Sequence, residues 1–471
     1  MLDEKTQDFI RTHREEDVRR LALKPAPENV DLRMALQQIE GWQTAIRKLP
    51  SWAERDGIQY PPRLPMEQCS SEQTARYKQA LVKRLLDNDS TEAPHTLMDL
   101  TGGFGISNKM PTLMYLYPDY AYFDNASLSK YGTETKDRLG LITTDVVKNT
   151  ANPDLRPARS TKWEAGLSFR INRIKGFATF FHESHRHELG FTSQLIWQNY
   201  DKYTVPATAT DPVFDAASGD VTYRVDGTEH TALRTKTTEM YTWSRAANST
   251  TTHKHGIEYG LDFGEIKPLH TSLNISGAWF HIKRKNENMP LNYINSSFDY
   301  VGVLPSGGGN LRDRFNSTFR LITHIPAIKM VFTTSVQVVW YESTQTIYED
   351  ENGNSRYYLK SYEDKDYLVI NPVGYYDKQG HYTAWSPADA DDADKSRIMY
   401  RTQPYLYEKD VIKPWALLSF RFTKEIGRVA ELSVIANNFT NTKKWHTNPR
   451  SLAKTQLYPD MYFGAELKLK L

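Results

Sequence analysis

Strict two-residue alternation over runs of about ten residues constrains this chain most. In KWEAGLSFRI, Trp163, Ala165, Leu167, Phe169 and Ile171 fall on one side. Lys162, Glu164, Gly166, Ser168 and Arg170 fall on the other. Only a strand with one apolar and one polar face reads this way, because successive side chains of an extended backbone point to opposite sides. The pattern returns in GIEYGLDFG, PLHTSLNISGAW, RFNSTFRL, IKMVFTTSVQVVWY, WALLSFRF and the closing segment. Runs of about ten residues match a tilted strand that crosses a bilayer.

The connections between these runs are unequal. IGR at 426–428 and IPAIK at 325–329 are short turns, whereas 185–252 and 342–412 are long, polar and aromatic-rich. Short turns on one rim and long loops on the other are the sidedness of an outer-membrane barrel. A soluble β-sandwich also alternates, but seldom with runs this long and connections this unequal.

Composition agrees with a barrel. The mean hydropathy is −0.62, yet 12% of residues are aromatic. Alternating lumen-facing and lipid-facing residues hide a membrane signal from any averaged scale. No stretch approaches the roughly 18 apolar residues of a spanning helix, so a helical membrane protein is excluded. A net charge of +2 without a basic block gives no case for nucleic acid. The single cysteine, Cys69, sits in no metal-ligand spacing. The first twenty residues carry acids from the third position and no apolar core, unlike a secretory signal.

Residues 1–88 have a different grammar. DFIRTHREEDVRRLALK mixes apolar residues among charges. In MALQQIEGWQTAIRKL, Met34, Leu36, Ile39, Trp42, Ile46 and Leu49 recur at three-to-four spacing. Both predict amphipathic helices. A third is expected in SSEQTARYKQALVKRLL, capped by Ser70 or Ser71, with Leu81, Val82, Leu85 and Leu86 on its apolar side. HTLMDL, bounded by Pro94 and glycines, reads as a short buried strand. The fold class expected is therefore mainly β: a partial antiparallel transmembrane β-barrel with long loops, behind a small α-helical N-terminal segment.

Two resemblances sharpen this. GGFGISNKMPTLMYLYPD, LRPARSTKWEAGLSFRI, ELSVIANNFTN and YFGAELKLKL resemble, in order, segments from the C-terminal part of SusC-like TonB-dependent outer-membrane receptors. The resemblance implies an importer of glycan or peptide nutrients located in the outer membrane and embedded in its lipids. A complete receptor of this kind has an N-terminal plug in a barrel of about 22 strands, a TonB box for the inner-membrane motor and a surface lipoprotein lid. No plug, TonB box or early barrel strands precede residue 102, so this portion is not expected to transport alone.

KLPSWAERDGIQYPPRLPMEQCSSEQTARYK and LMDLTGGFG instead resemble the N-terminal part of THUMP-like class I S-adenosylmethionine-dependent methyltransferases. That resemblance implies that Asp99, Thr101, Gly102, Gly103 and Gly105 form a strand and glycine loop approaching S-adenosylmethionine. The family's later motifs have no counterpart, so a truncated enzyme or a non-functional chimera is the alternative reading and no catalytic residue is assigned. The two resemblances divide the chain into 1–105 and 106–471 and predict a chimera joined at GGFG.

Three smaller features complete the reading. HESHRHEL brings His182, His185 and His187 close in sequence, with His185 and His187 on one face, and is expected to be a solvated segment entering a loop rather than a metal site. DADDADKS and DENGNS have the oxygen density of calcium loops without EF-hand spacing, so acidic external loops are expected. Tyr362, Tyr367, Tyr375, Tyr376, Tyr382 and Trp385 crowd one loop region. Of these, Tyr375, Tyr376, Tyr382 and Trp385 are the candidate substrate platform, since aromatic faces stack on sugars.

Overall fold

The computed structural model describes residues 3–22, 27, 29–61, 66, 71–87, 96–362, 365–427, 429–457 and 460–469. It is mainly β, with 57% strand and 16% helix, and the chain divides into two compact units, Met1–Pro94 and His95–Leu471. No helix among the described residues is long and apolar enough to cross a membrane.

The first unit is helical. Helices span Glu4–His13, Val18–Ala22, Leu32–Lys48, Pro50–Ala53 and Glu72–Asp87. Asp3 caps the first helix, accepting from Thr6 N at 2.9 Å, and Asp31 caps the long one, accepting from Met34 N at 3.0 Å. The buried stripe of the long helix is Ala35, Gln38, Ile39, Gly41 and Ala45, while Ile46 is 46% exposed. The apolar stripe expected from sequence is thus rotated slightly, because Tyr60 lies over Gly41 and draws that side inward. Gln38 Nε2 donates to Tyr60 O, and Tyr60 N donates back to Gln38 Oε1. Ser71 caps the last helix at Thr74 N. The side chains of Leu81, Val82, Leu85 and Leu86, and Cys69, lie outside the described residues.

The second unit is built on β1 (Thr96–Lys109), β2 (Ala121–Lys130), β3 (Leu139–Val147), β4 (Ala158–Ile171), β5 (Ile174–Thr204), β6 (Thr210–Asp215), β7 (Asp220–Val225), β8 (Thr228–Thr231), β9 (Leu233–Ile266) and β10 (Thr271–Asn286). It continues through β11 (Leu291–Asn292), β12 (Tyr300–Val303), β13 (Gly308–Ile325), β14 (Met330–Tyr348), β15 (Tyr358–Tyr362), β16 (Lys365–Ile370), β17 (Gly374–Asp377) and β18 (Tyr382–Ala384). The last strands are β19 (Tyr400–Thr402), β20 (Asp410–Ile412), β21 (Trp415–Ile426), β22 (Ala430–Asn437), β23 (Trp445–Thr447), β24 (Lys454–Gln456) and β25 (Tyr462–Leu469).

One antiparallel sheet runs β1-β4-β5-β9-β10-β13-β14-β21-β22-β25, with β20 beside β14. Four of its connections are tight: Asn172–Arg173, Lys267–His270, Pro326–Lys329 and the turn at Gly427. Each contains a residue with positive φ, namely Asn172, His270, Lys329 and Gly427, which reverses the chain within a few residues. The opposite rim carries every long excursion, folded into small sheets β2-β3, β6-β7-β8, β11-β12-β17-β18, β15-β16-β19 and β23-β24.

Register makes the two faces continuous across strands. Leu100, Leu167, Ala178, Tyr259, Gly277, Ser317, Val338 and Ala416 form one transverse row, and Gly102, Ala165, Phe180, Ile257, Trp279, Phe315 and Tyr341 form the next. Within the first row the Tyr259 ring lies over Gly277, where a Cβ would collide with it. The Tyr259 hydroxyl and Ser317 Oγ lie 2.6 Å apart, and Trp340 Nε1 donates to Ser317 Oγ at 2.7 Å. The opposite face carries Lys162, Glu183, Lys254 and Arg312 in one row across five strands, with Ile282 of β10 between the last two.

Two expectations are corrected. The stretch 185–252 is not a loop for most of its length: β5 runs for 31 residues and β9 for 34, so the hairpin climbs far past the apolar rows. Polarity suggested a loop, but FTSQLIWQNYDKYT and TTEMYTWSRAANSTTTH are rich in aromatic and β-branched residues that suit a strand. Also, LMDL is not a short buried strand. β1 continues through GGFG to Lys109 at the sheet's edge, with Met98 61% and Leu100 76% exposed.

Candidate functional site

The glycine segment comes first, because the cofactor expectation rests on it. All fourteen residues of β1 pair with β4 without a bulge, from Thr96 opposite Ile171 to Lys109 opposite Ala158. Asp99, Thr101, Gly103 and Gly105 therefore point to the polar face, and Gly102 shares the apolar face with Met98, Leu100, Phe104 and Ile106. The expected glycine loop is a strand. Side chains of the two alternating sets suit a two-faced sheet edge, and pairing satisfies the backbone groups that a cofactor loop leaves open. The next helix, Leu113–Leu116, has four residues. This arrangement does not fit S-adenosylmethionine, which needs a turn opening into a helix.

The polar face is hollow. A cavity of about 980 Å³ lies against it, lined by Asp99, Ser168, Arg170, Lys175, Asp262 and Arg320 among others. Farther toward the long-connection rim the same face carries ion pairs. Lys162 Nζ lies 3.1 Å from Glu164 and 3.8 Å from Glu183, and Arg312 bonds Glu342 at 2.8 Å.

The aromatic loop residues are brought together, but not as an open platform. Tyr375 is 6% exposed and packs with Phe298 and Ile398, with Trp385 against the cluster. Its ring stands edge-on to Tyr300 at 5.3 Å and to Trp385 at 6.5 Å, with Lys395 Nζ 5.3 Å away. Lys395 is fixed in turn by Asp389 at 2.7 Å. Bonding to that ammonium and to Ser386 N holds the Asp389 carboxyl below its ordinary range. Tyr376 meets Trp197 edge-on at 5.8 Å, and Trp197 Nε1 donates to Asp377 O at 2.9 Å. Tyr375 and Trp385 thus build the loop's own core. Tyr382, 49% exposed, keeps an open ring. The side chain of Tyr362 lies outside the described residues.

The acidic segments are folded on themselves. Asp350 accepts from Asn352 N and Asn354 N, and Asp389 belongs to a capping box with Ser386. The histidines lie in mid-strand rather than at a strand's end. His185 Nε2 is 3.1 Å from Glu183, whereas His187 takes a positive φ of 56° at a bulge that breaks the expected alternation. His182 sits across from His255, which sits across from His281, whose Nδ1 is 2.7 Å from Asp313. Among the described residues no group of three His, Cys, Asp and Glu is placed to hold a metal ion.

Another cavity, of about 900 Å³, opens at the long-connection rim. It lies where the upper ends of β10, β13 and β14 meet the excursions, and sequence reasoning missed it. Arg284, Asn292, Asn310, Gln345, Tyr400 and Arg450 line it with Thr344 and Thr346. The buried Tyr348 and Tyr407 line it as well. Burial pushes the Tyr348 hydroxyl up to about 12, and it donates to Pro305 O. Burial also raises Tyr407, helped by the neighbouring Tyr400 and Tyr348. Both phenols therefore stay protonated at neutral pH. The residues come from β10, β11, β13, β14, β19 and the stretches holding Tyr407 and Arg450, so no local motif could have announced them.

No known protein-family model and no curated protein matches the chain.

Proposed function

We propose that the chain is a partial outer-membrane receptor barrel of the TonB-dependent, SusC-like kind, which takes part in importing glycan or peptide nutrients. One observation carries the reading. A single antiparallel sheet presents largely apolar rows on one face, bounded toward the excursion rim by the row Trp163, His182, His255, His281 and Asp313, and a charged, hollow face on the other, with tight turns on one rim and folded excursions on the opposite one. On β4 the apolar run Trp163–Ile171 is about 30 Å long at roughly 3.3 Å per residue. Tilted as barrel strands are, it covers close to the roughly 25 Å of an outer-membrane apolar band.

On this reading outer-membrane lipids cover the apolar face. The edge strand β1, with Met98, Leu100, Phe104 and Ile106 on that face, pairs with further barrel strands, because unpaired N–H and C=O groups are costly in hydrocarbon. A surface lipoprotein would sit over the excursion rim, and the TonB motor would act from the other side. Nutrient would enter at the rim cavity and pass along the polar face.

Flotation with liposomes and heat-modifiable gel mobility test this reading. Co-flotation and a faster-migrating unheated band are expected; a folded product that remains in the soluble fraction overturns it. Calorimetry with S-adenosylmethionine is expected to show no binding, since the glycine segment is strand.

A further inference from the structure

We infer that the rim cavity is a binding site for an acidic oligosaccharide, one bearing carboxylate or sulfate groups. This deepens the receptor reading and rests on it only for the source of the ligand. The argument begins with charge. Two arginines, Arg284 and Arg450, line the cavity, and no aspartate or glutamate does. Neither arginine forms an ion pair among the described residues.

Nearby acids are already committed to other partners. Glu349 bonds Lys283 at 2.5 Å, and Glu342 bonds Arg312 at 2.8 Å. Asp410 accepts from His446 Nε2 at 2.8 Å and from Asn448 Nδ2 at 3.2 Å. Glu349 and Glu342 are thus matched by cations, and although Asp410 lies opposite Thr344 on the neighbouring strand, no acid enters the lining, whose own charge is positive. A partly enclosed site with charge of one sign concentrates ligands of the other.

Geometry supplies the rest. Arg450 donates from Nη1 to Thr346 Oγ1 and from Nη2 to Thr344 Oγ1, both at 2.9 Å. These neutral acceptors orient the planar guanidinium without cancelling its charge, and each threonine hydroxyl keeps its own hydrogen to donate. The remaining guanidinium hydrogens can meet a carboxylate or sulfate in the forked geometry that lysine lacks. Asn292, Asn310 and Gln345 add amides for sugar hydroxyls; Asn292 Nδ2 already donates one hydrogen to Ile398 O and Gln345 Nε2 one to Tyr407 O, which leaves each a second hydrogen and its carbonyl oxygen. Tyr400, 38% exposed, offers a ring face on which a pyranose can stack. Hydroxyl-rich recognition around a fixed cation favours an acidic sugar over an acidic peptide.

The test is titration calorimetry of the full chain in detergent micelles with tetragalacturonate, maltotetraose and tetraglutamate as probes. Tetragalacturonate is expected to bind. Maltotetraose and tetraglutamate should bind at least tenfold more weakly. Arg450→Gln and Arg284→Gln should each weaken tetragalacturonate at least tenfold, with Arg450→Lys between Arg450→Gln and the parent. Lys267→Gln, in a turn on the opposite rim, should leave binding unchanged. If Arg450→Gln fails to fold by circular dichroism, Arg284→Gln carries the test, because Arg284 is exposed. Equal affinity for maltotetraose, equal or tighter binding of tetraglutamate, or parental affinity in Arg284→Gln overturns the site. Binding by a chain that does not float with liposomes would sink the receptor reading and leave the site standing. A chain that floats but does not bind tetragalacturonate would do the reverse.

Discussion

The lower and upper halves of the β5–β9 hairpin have the same backbone but different surroundings. In the lower half Phe180, Ile257 and Leu261 lie on the apolar face, and Ile257 is 41% exposed. In the upper half Met240 is 0% exposed, Gln198 2% and Glu239 8%, because the excursions fold against both strands. Met240 N donates to Ser296 O, and Trp197 reaches Asp377. The comparison shows that alternation specifies strand and faces, while the neighbouring medium decides what each face must be. Above, protein supplies the cover; below, on the proposed reading, lipid does.

The strongest way to break this comparison is to put a charge in each half. Met240→Asp buries an unpaired carboxylate in the upper half and should cost about 4 kcal/mol or more in any solvent. Urea unfolding followed by circular dichroism would measure it, and tolerance in micelles would show that the excursions do not pack as described. Leu261→Arg places a cation in the lower apolar band. It should cost about 2–4 kcal/mol in bilayers and clearly less in water, where the long side chain can reach solvent. An equal small cost in both media would place the lower face in water.

A smaller effect is the share of the pH dependence that Glu239 contributes in the upper half, beside other lowered carboxyls such as Asp389. Burial pushes Glu239 up, but hydrogen bonds from Tyr241, Ser296 and Tyr200 outweigh it and hold the carboxyl below its ordinary 4.5. The same contact, after burial, raises the Tyr241 hydroxyl to about 12. A carboxyl lowered by folding contributes stability that is present above its unfolded pKa. That contribution is lost as pH falls through the folded value. Urea midpoints should therefore drop with acidification below about pH 4.5, and Glu239→Gln should flatten the drop. An unchanged slope in the variant would remove Glu239 as its source.

Some of this was legible in particular residues. Trp163 to Ile171 announced a two-faced strand, and Ser70 or Ser71 marked a helix start, of which Ser71 makes the capping bond; sequence reasoning missed the caps Asp3 and Asp31. In LMDLTGGFGI the glycines at 102, 103 and 105 suggested a loop and drew attention from Met98, Leu100, Phe104 and Ile106, which alternate across them. That periodicity was available in the sequence. Tyr375 and Trp385 misled for another reason: an aromatic cluster in a polar excursion can be either a platform or that excursion's own core. The choice depends on Phe298 and Ile398, which lie far from both in sequence.

The sequence by itself determined the helical character of the first unit, the two-faced strands of the second and the places of two of its tight turns, at 325–329 and 426–428. These properties arise from side-chain period and turn chemistry within a few residues. Tertiary structure decided that β1 is the sheet's edge, that the β5–β9 hairpin outgrows its apolar rows and that Arg284 meets Arg450 around one cavity. Those outcomes depend on strand register and on contacts between distant segments, and no short window of sequence contains them.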